Sequence, residues 1–131
     1  MRAPEFNSDG VDKVTFAPVE LINALDSEWK DVRLSFTDWE WLKRTYGSDS
    51  IDDYYLNGYG VQGLVKACRL QAGFEPEADG IDYNSEGDAC YIHFANLDDA
   101  VETAQLVAEM LNDHSKLVAM IQVARENDFE E

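Results

Sequence analysis

Val32, Leu34 and Phe36 alternate with Arg33 and Ser35, which predicts a strand with one buried and one open face. Val14 and Phe16 alternate in the same way ahead of Pro18 and predict a short edge strand. Residues 20–24 read as a further strand, although Leu21, Ile22 and Leu25 would also share a helical stripe after Pro18. Thr37 or Asp38 can cap a short helix from Trp39 to Tyr46, which Gly47 closes. The stretch 48–53 reads as a polar connection. From Gly60 to Ala72 the apolar positions Val61, Leu64, Val65, Cys68 and Ala72 recur at helical spacing, and Gly73 stops the pattern. Ile81 and Tyr83, then Cys90, Ile92 and Phe94, bracket the turn-rich run Asn84 to Asp88 and predict a hairpin. Asn96 or Leu97 opens a long helix with Val101, Ala104, Ala108 and Leu111 on one face, and Ser115 can cap a last helix through Leu117, Val118, Ile121 and Ala124.

Strands and helices do not alternate in a regular rhythm. The pattern therefore predicts an α+β fold: a small antiparallel β-sheet with about four helices packed mainly on one face. The chain of 131 residues fits one domain, expected over 11–126, with a loose leader at 1–10 and an acidic tail at 127–131. The 45% hydrophobic content and fifteen aromatic residues supply a core without metal or disulfide staples. Cys68 and Cys90 are expected as reduced thiols. No apolar run reaches the roughly 18 residues of a membrane span and the N-terminus has no secretory pattern, so a cytoplasmic location is expected.

Charge narrows the function. Twenty-seven acids face ten bases, a net charge of -17, and residues 49–102 hold twelve acids against only Lys66 and Arg69. Such a surface repels nucleic acid and anionic membrane and speeds encounter with basic proteins.

Two motifs imitate ligand sites. Gly58-x-Gly60-x-x-Gly63 opens a helix like a dinucleotide fingerprint, but Asp52 and Asp53 stand where a buried parallel strand should precede it and would repel a pyrophosphate. Asp82-x-Asn84-x-Glu86-Gly87 begins like a calcium loop, yet His93 holds the twelfth position, where a bidentate Glu belongs. Cys68 and Cys90, 22 positions apart, lack companion zinc ligands; His93 falls on the outward face of its predicted strand, opposite Cys90 and Ile92, and His114 precedes a helix cap without an acid–base partner in sequence. No catalytic residue, cofactor site or metal site is therefore assigned, and a non-enzymatic protein is expected. The candidate binding surface combines carboxylates with aromatic residues: Asp49, Asp52, Asp53, Tyr54 and Tyr55 before the glycine turn, and Glu75, Glu77, Asp79, Glu86 and Asp88 around the hairpin. Aromatic anchors inside an acidic rim suit a hot spot for a basic partner. Trp39 and Trp41 fall on different helix faces, so at least one of them is expected to be partly exposed.

Asn57-Gly58-Tyr59 opening a helix, the run Gly80-Ile81-Asp82-Tyr83-Asn84-Ser85-Glu86-Gly87-Asp88-Ala89-Cys90-Tyr91-Ile92, and the helix pair ending Leu117-Val118-Ala119-Met120-Ile121 resemble the immunity protein 51 family of bacterial polymorphic toxin systems. The resemblance covers roughly residues 56–125. It implies an antidote that neutralises a cognate basic toxin domain, commonly a nuclease, by steric and electrostatic blockade. A general acidic adaptor or nucleic-acid mimic is the alternative that composition leaves open.

Overall fold

The computed structural model describes residues 2–129. Among these, seven strands and four helices run in the order β1 (Val11–Asp12), β2 (Glu20–Ala24), β3 (Asp31–Phe36), α1 (Trp39–Tyr46), β4 (Ser50–Ile51), β5 (Tyr54–Tyr55), α2 (Gly58–Gln71), β6 (Ile81–Tyr83), β7 (Cys90–Phe94), α3 (Leu97–Leu111) and α4 (His114–Glu126). The fold is α+β. A five-stranded antiparallel sheet has the order β1-β2-β3-β7-β6, and β4 and β5 form a separate hairpin.

Period-two patterning sets the layers. Val32, Leu34 and Phe36 of β3 and Cys90, Ile92 and Phe94 of β7 are buried, and register places Leu34 opposite both Leu21 and Ile92. Arg33, Tyr91 and His93 point the other way and stay partly or fully exposed. On the buried face α2 packs against β7, and α3 packs against β2, β3 and β7; α4 closes the stack by packing on α2 and α3. α2 is thus a central helix, buried from Val61 through Val65 and at Ala67, Cys68 and Arg69, more completely than one apolar stripe requires.

The caps follow the expected chemistry with shifts of position. Asp38 accepts from the Trp41 amide, and Gly47 ends α1 in the left-handed conformation. The helix expected from Gly60 begins two residues earlier, because the Asn57 side chain accepts from the Gly60 amide; Ala72 is exposed at its end rather than buried. Asn96 caps α3. Asp113, not Ser115, caps α4: its carboxylate accepts from the Ser115 and Lys116 amides, and acceptance by a carboxylate is the stronger interaction.

The first strand is corrected. Residues 13–18 form turns, with Val14 78% exposed and Phe16 buried, and the strand lies at Val11–Asp12. Asp12 causes this, because its Oδ1 accepts from the amides of Val14 and Thr15 and bends the chain there. Residues 2–10, expected as a loose leader, are docked. The Glu5 amide donates to Asp12 Oδ2, the Asn23 amide donates to the Gly10 carbonyl, and Phe6 packs against the core. In the expected acidic tail, Phe129 folds back on the core with its amide on the Ala124 carbonyl, while residues 130 and 131 lie outside the described residues.

Asp12 is 2% exposed. Burial alone would raise its carboxyl, but the Thr15 hydroxyl and the amides of Thr15, Glu5 and Val14 outweigh it and hold the pKa at about 2, against an ordinary 3.8. The folded value lies below the unfolded one, so the stabilisation is present above pH 3.8 and fades as pH falls towards 2. Asp12→Asn is expected to lose about 2 kcal/mol in urea denaturation at pH 7, with the difference from the unsubstituted protein disappearing at strongly acidic pH.

Candidate functional site

The expected acid-and-aromatic surface divides in the structure, and one part of it becomes a groove. Asp49, Tyr55 and Asp88 converge with Trp39 and Lys43 around a depression of about 220 Å³, floored by Leu42 and Leu56. Three segments build it. α1 supplies Trp39 and Lys43, the β4–β5 hairpin supplies Asp49 and Tyr55, and the turn before β7 supplies Asp88. The Trp39 indole N–H donates to the Asp88 carbonyl at 2.7 Å, and its ring stands edge-on to Phe36 at 5.0 Å, so α1 and the turn are pinned together. The Leu56 amide donates to the Asp49 carbonyl at 2.8 Å and closes the hairpin end. Tyr55 is 56% exposed.

The glycine motif explains how these loops meet. A Cβ on Gly58 would stand 1.7 Å from the Glu86 carbonyl oxygen and 2.4 Å from that of Ala89. On Gly60 it would stand 2.0 Å from the Tyr55 carbonyl oxygen, and on Gly63 it would stand 2.4 Å from that of Phe129. The three glycines let backbone approach backbone. The Gly58 amide donates to the Gly87 carbonyl and the Gly60 amide to Asn57 Oδ1, so two donors that a pyrophosphate would need are already engaged. The preceding strand is a two-residue hairpin arm, outside the main sheet. The Asp82–Gly87 stretch is likewise a hairpin connection: Asn84 Nδ2 donates to Asp82 Oδ2, and Glu86 bridges Ala89. Among the described residues no group of three His, Cys, Asp or Glu side chains is placed to hold a metal ion.

Asp52 and Asp53 form the tip of the β4–β5 hairpin, not a plain polar connection. Their φ values are 51° and 64°, the two consecutive left-handed residues of a type I′ turn, where Asn-Gly is the favoured pair. The guanidinium of Arg125 on α4 donates to the Asp52 carbonyl and lies 5.8 Å from the Tyr54 ring centre. Replacing the pair, Asp52→Asn with Asp53→Gly, is expected to stabilise the fold by roughly 0.5–1 kcal/mol, read from the urea midpoint.

Tyr54 is a correction. It is wholly buried, with its hydroxyl donating to the Gly60 carbonyl at 2.6 Å, and offers nothing to a partner. Alternation along β5 turns Tyr54 inward and Tyr55 outward, which the adjacent pair in sequence conceals. Glu75, Glu77 and Asp79 do not join the groove either. They lie in the loop after α2, where Lys66 pairs with Glu77 at 3.0 Å and Arg69 donates to the Glu75 carbonyl. Gly58 and Arg69 are about 16 Å apart along the helix axis, so the two acidic groups sit towards opposite ends of α2. Glu86 is exposed in the turn beside Gly87. Lys43 and Asn57 were not anticipated in the site. A lysine four residues after Trp39 places both side chains on one face of α1, the signal that would have found Lys43. Trp39 and Trp41 are both partly buried.

Elsewhere, His93 Nδ1 meets Asp31 Oδ2 at 2.9 Å and Asp31 Oδ1 accepts from Arg33 Nε at 3.2 Å, on the face of the sheet away from the helices. Cys90 faces inward, away from this group. Both cysteines are free and buried, and burial pushes each thiol up to about 12, so neither is a ready nucleophile at neutral pH. No helix among the described residues is long and apolar enough to cross a membrane. No family model matches the chain, and no curated protein or solved structure matches it.

Proposed function

We propose that this is a non-enzymatic immunity protein, which binds and neutralises a cognate basic toxin domain of the nuclease class by steric and electrostatic blockade. The observation that carries the reading is the convergence of Asp49, Asp88 and the exposed Tyr55 on one groove from segments far apart in sequence. Two acids in left-handed turn positions at the neighbouring hairpin tip support it, since conformational cost retained on a surface loop is a mark of a binding role. The net charge of -17 supports a cationic partner, and the resemblance of residues 56–125 to immunity protein 51 supports a toxin.

The test is binding to the protein encoded by the adjacent gene, in catalytically inactive form. Charge reversal at Asp52 and Asp53 is expected to slow association about tenfold at low salt and to flatten its salt dependence. Tyr55→Ala is expected to raise the dissociation rate by a factor worth about 1–2 kcal/mol, the size of an interface anchor. Failure to capture that neighbour, with several unrelated DNA-binding proteins captured instead, would replace the antidote with a nucleic-acid mimic.

A further inference from the structure

We infer that the groove between α1, the β4–β5 hairpin and the turn at Asp88 is a socket for a single arginine side chain of the partner. This deepens the proposed function and rests on it for the partner, but not for the chemistry of the socket. Four side chains that line the groove carry the inference: Asp49 from the segment before β4, Asp88 from the turn before β7, Trp39 from α1 and Tyr55 from β5. Among the described residues neither carboxylate takes part in a hydrogen bond or ion pair; the Asp88 carbonyl, not its side chain, receives the Trp39 indole. Both carboxylates are exposed and available to a cation.

The aromatic walls make the socket selective among cations. The Trp39 ring is fixed at its edge by the Asp88 carbonyl and at its side by Phe36, so it presents a set surface without further ordering cost. A planar guanidinium stacks on such a ring and still directs donors to carboxylates on two sides; an ammonium is a strongly hydrated point charge that does neither as well. The apolar floor of Leu42 and Leu56 suits the methylene stem. Lys43 lines the same groove and supplies a resident positive charge that an incoming cation must oppose or displace. The expected effects of substitution therefore run in both directions.

The experiment titrates the intact protein with N-acetyl-arginine methylamide and follows amide and indole signals by two-dimensional NMR, with the lysine and glutamine analogues as comparisons. Millimolar, saturable shifts are expected at the Trp39 indole and at Tyr55 and Asp88, with the indoles of Trp29 and Trp41 unmoved. The lysine analogue is expected to bind about threefold more weakly, the size of an exposed cation–π contact. Asp49→Asn and Asp88→Asn are each expected to weaken arginine binding about threefold, and Lys43→Gln to tighten it by a similar factor. Because both carboxylates are exposed and unbonded, these variants keep the signal dispersion of the unsubstituted protein. Equal responses to all three analogues, shifts centred on Trp29 or Trp41, or indifference to Asp49, Asp88 and Lys43 would overturn the socket. No toxin enters this measurement: arginine binding at the groove with no captured toxin would fail the antidote reading alone, and a captured toxin with no arginine response would fail the socket alone.

Discussion

Gly58→Ala is expected to cost roughly 3–4 kcal/mol, placing it at the severe end for a single methyl group. The added carbon would stand 1.7 Å from the Glu86 carbonyl oxygen and 2.8 Å from the Ala89 carbonyl carbon, and both belong to backbone that cannot rotate away as a side chain would. Relief requires moving the 86–89 turn off the start of α2. That movement breaks the hydrogen bond from the Gly58 amide to the Gly87 carbonyl at 3.1 Å, and it strains the bond from the Trp39 indole to the Asp88 carbonyl. Helix propensity alone would favour alanine by up to about 1 kcal/mol, so the two accounts differ in sign. Urea denaturation decides between them: a stabilised variant would mean that the turn does not press on the helix. Because the displaced turn carries Asp88, the variant is also expected to lose the arginine response even under conditions where it remains folded.

Tyr54→Ala is expected to cost about 4 kcal/mol, comparable to removing other large core aromatic residues. Tyr54 has no exposed surface and packs in the common core with Leu56, Val61 and Leu64. Its ring lies 3.3 Å from where a Cβ on Gly60 would sit, so it also fills the space that the glycine leaves. Tyr54→Phe retains the ring and removes the hydroxyl that donates to the Gly60 carbonyl, so a loss of about 1 kcal/mol is expected. The neighbouring Tyr55→Ala, with its side chain largely in solvent, is expected to leave stability within about 0.5 kcal/mol of the unsubstituted protein. The contrast is the sharpest available check on the hairpin register. Similar losses at Tyr54 and Tyr55 would mean that the register pairing Ile51 with Tyr54 is wrong.

The secondary elements were readable where a local rule decides them. Alternation of Val32, Leu34 and Phe36 places β3, Asp38 and Gly47 bound α1, and the apolar runs ending at Phe94 and Leu111 mark β7 and α3, because side-chain period and capping act over a few residues. Errors came where a polar side chain redirected the backbone. Asp12 turned the expected Val14–Phe16 strand into a loop, and Asp113 takes the cap position expected of Ser115. The β4–β5 hairpin was missed because its turn uses two aspartates in place of Asn-Gly, and each strand is only two residues long.

Charge and the α+β class were legible in the residues alone, since one is composition and the other follows from the order of locally patterned segments. The tertiary structure alone decided which carboxylates share a groove. It joined Asp49 to Asp88 and left Glu75, Glu77 and Asp79 near the other end of α2, and it turned Tyr54 into the core while Tyr55 stayed outside. The physical reason is that carboxylates repel and have no intrinsic tendency to gather. Their grouping is imposed by backbone approaches, above all the contact at Gly58, between segments that lie about 30 residues apart in the chain and carry no local mark of their meeting.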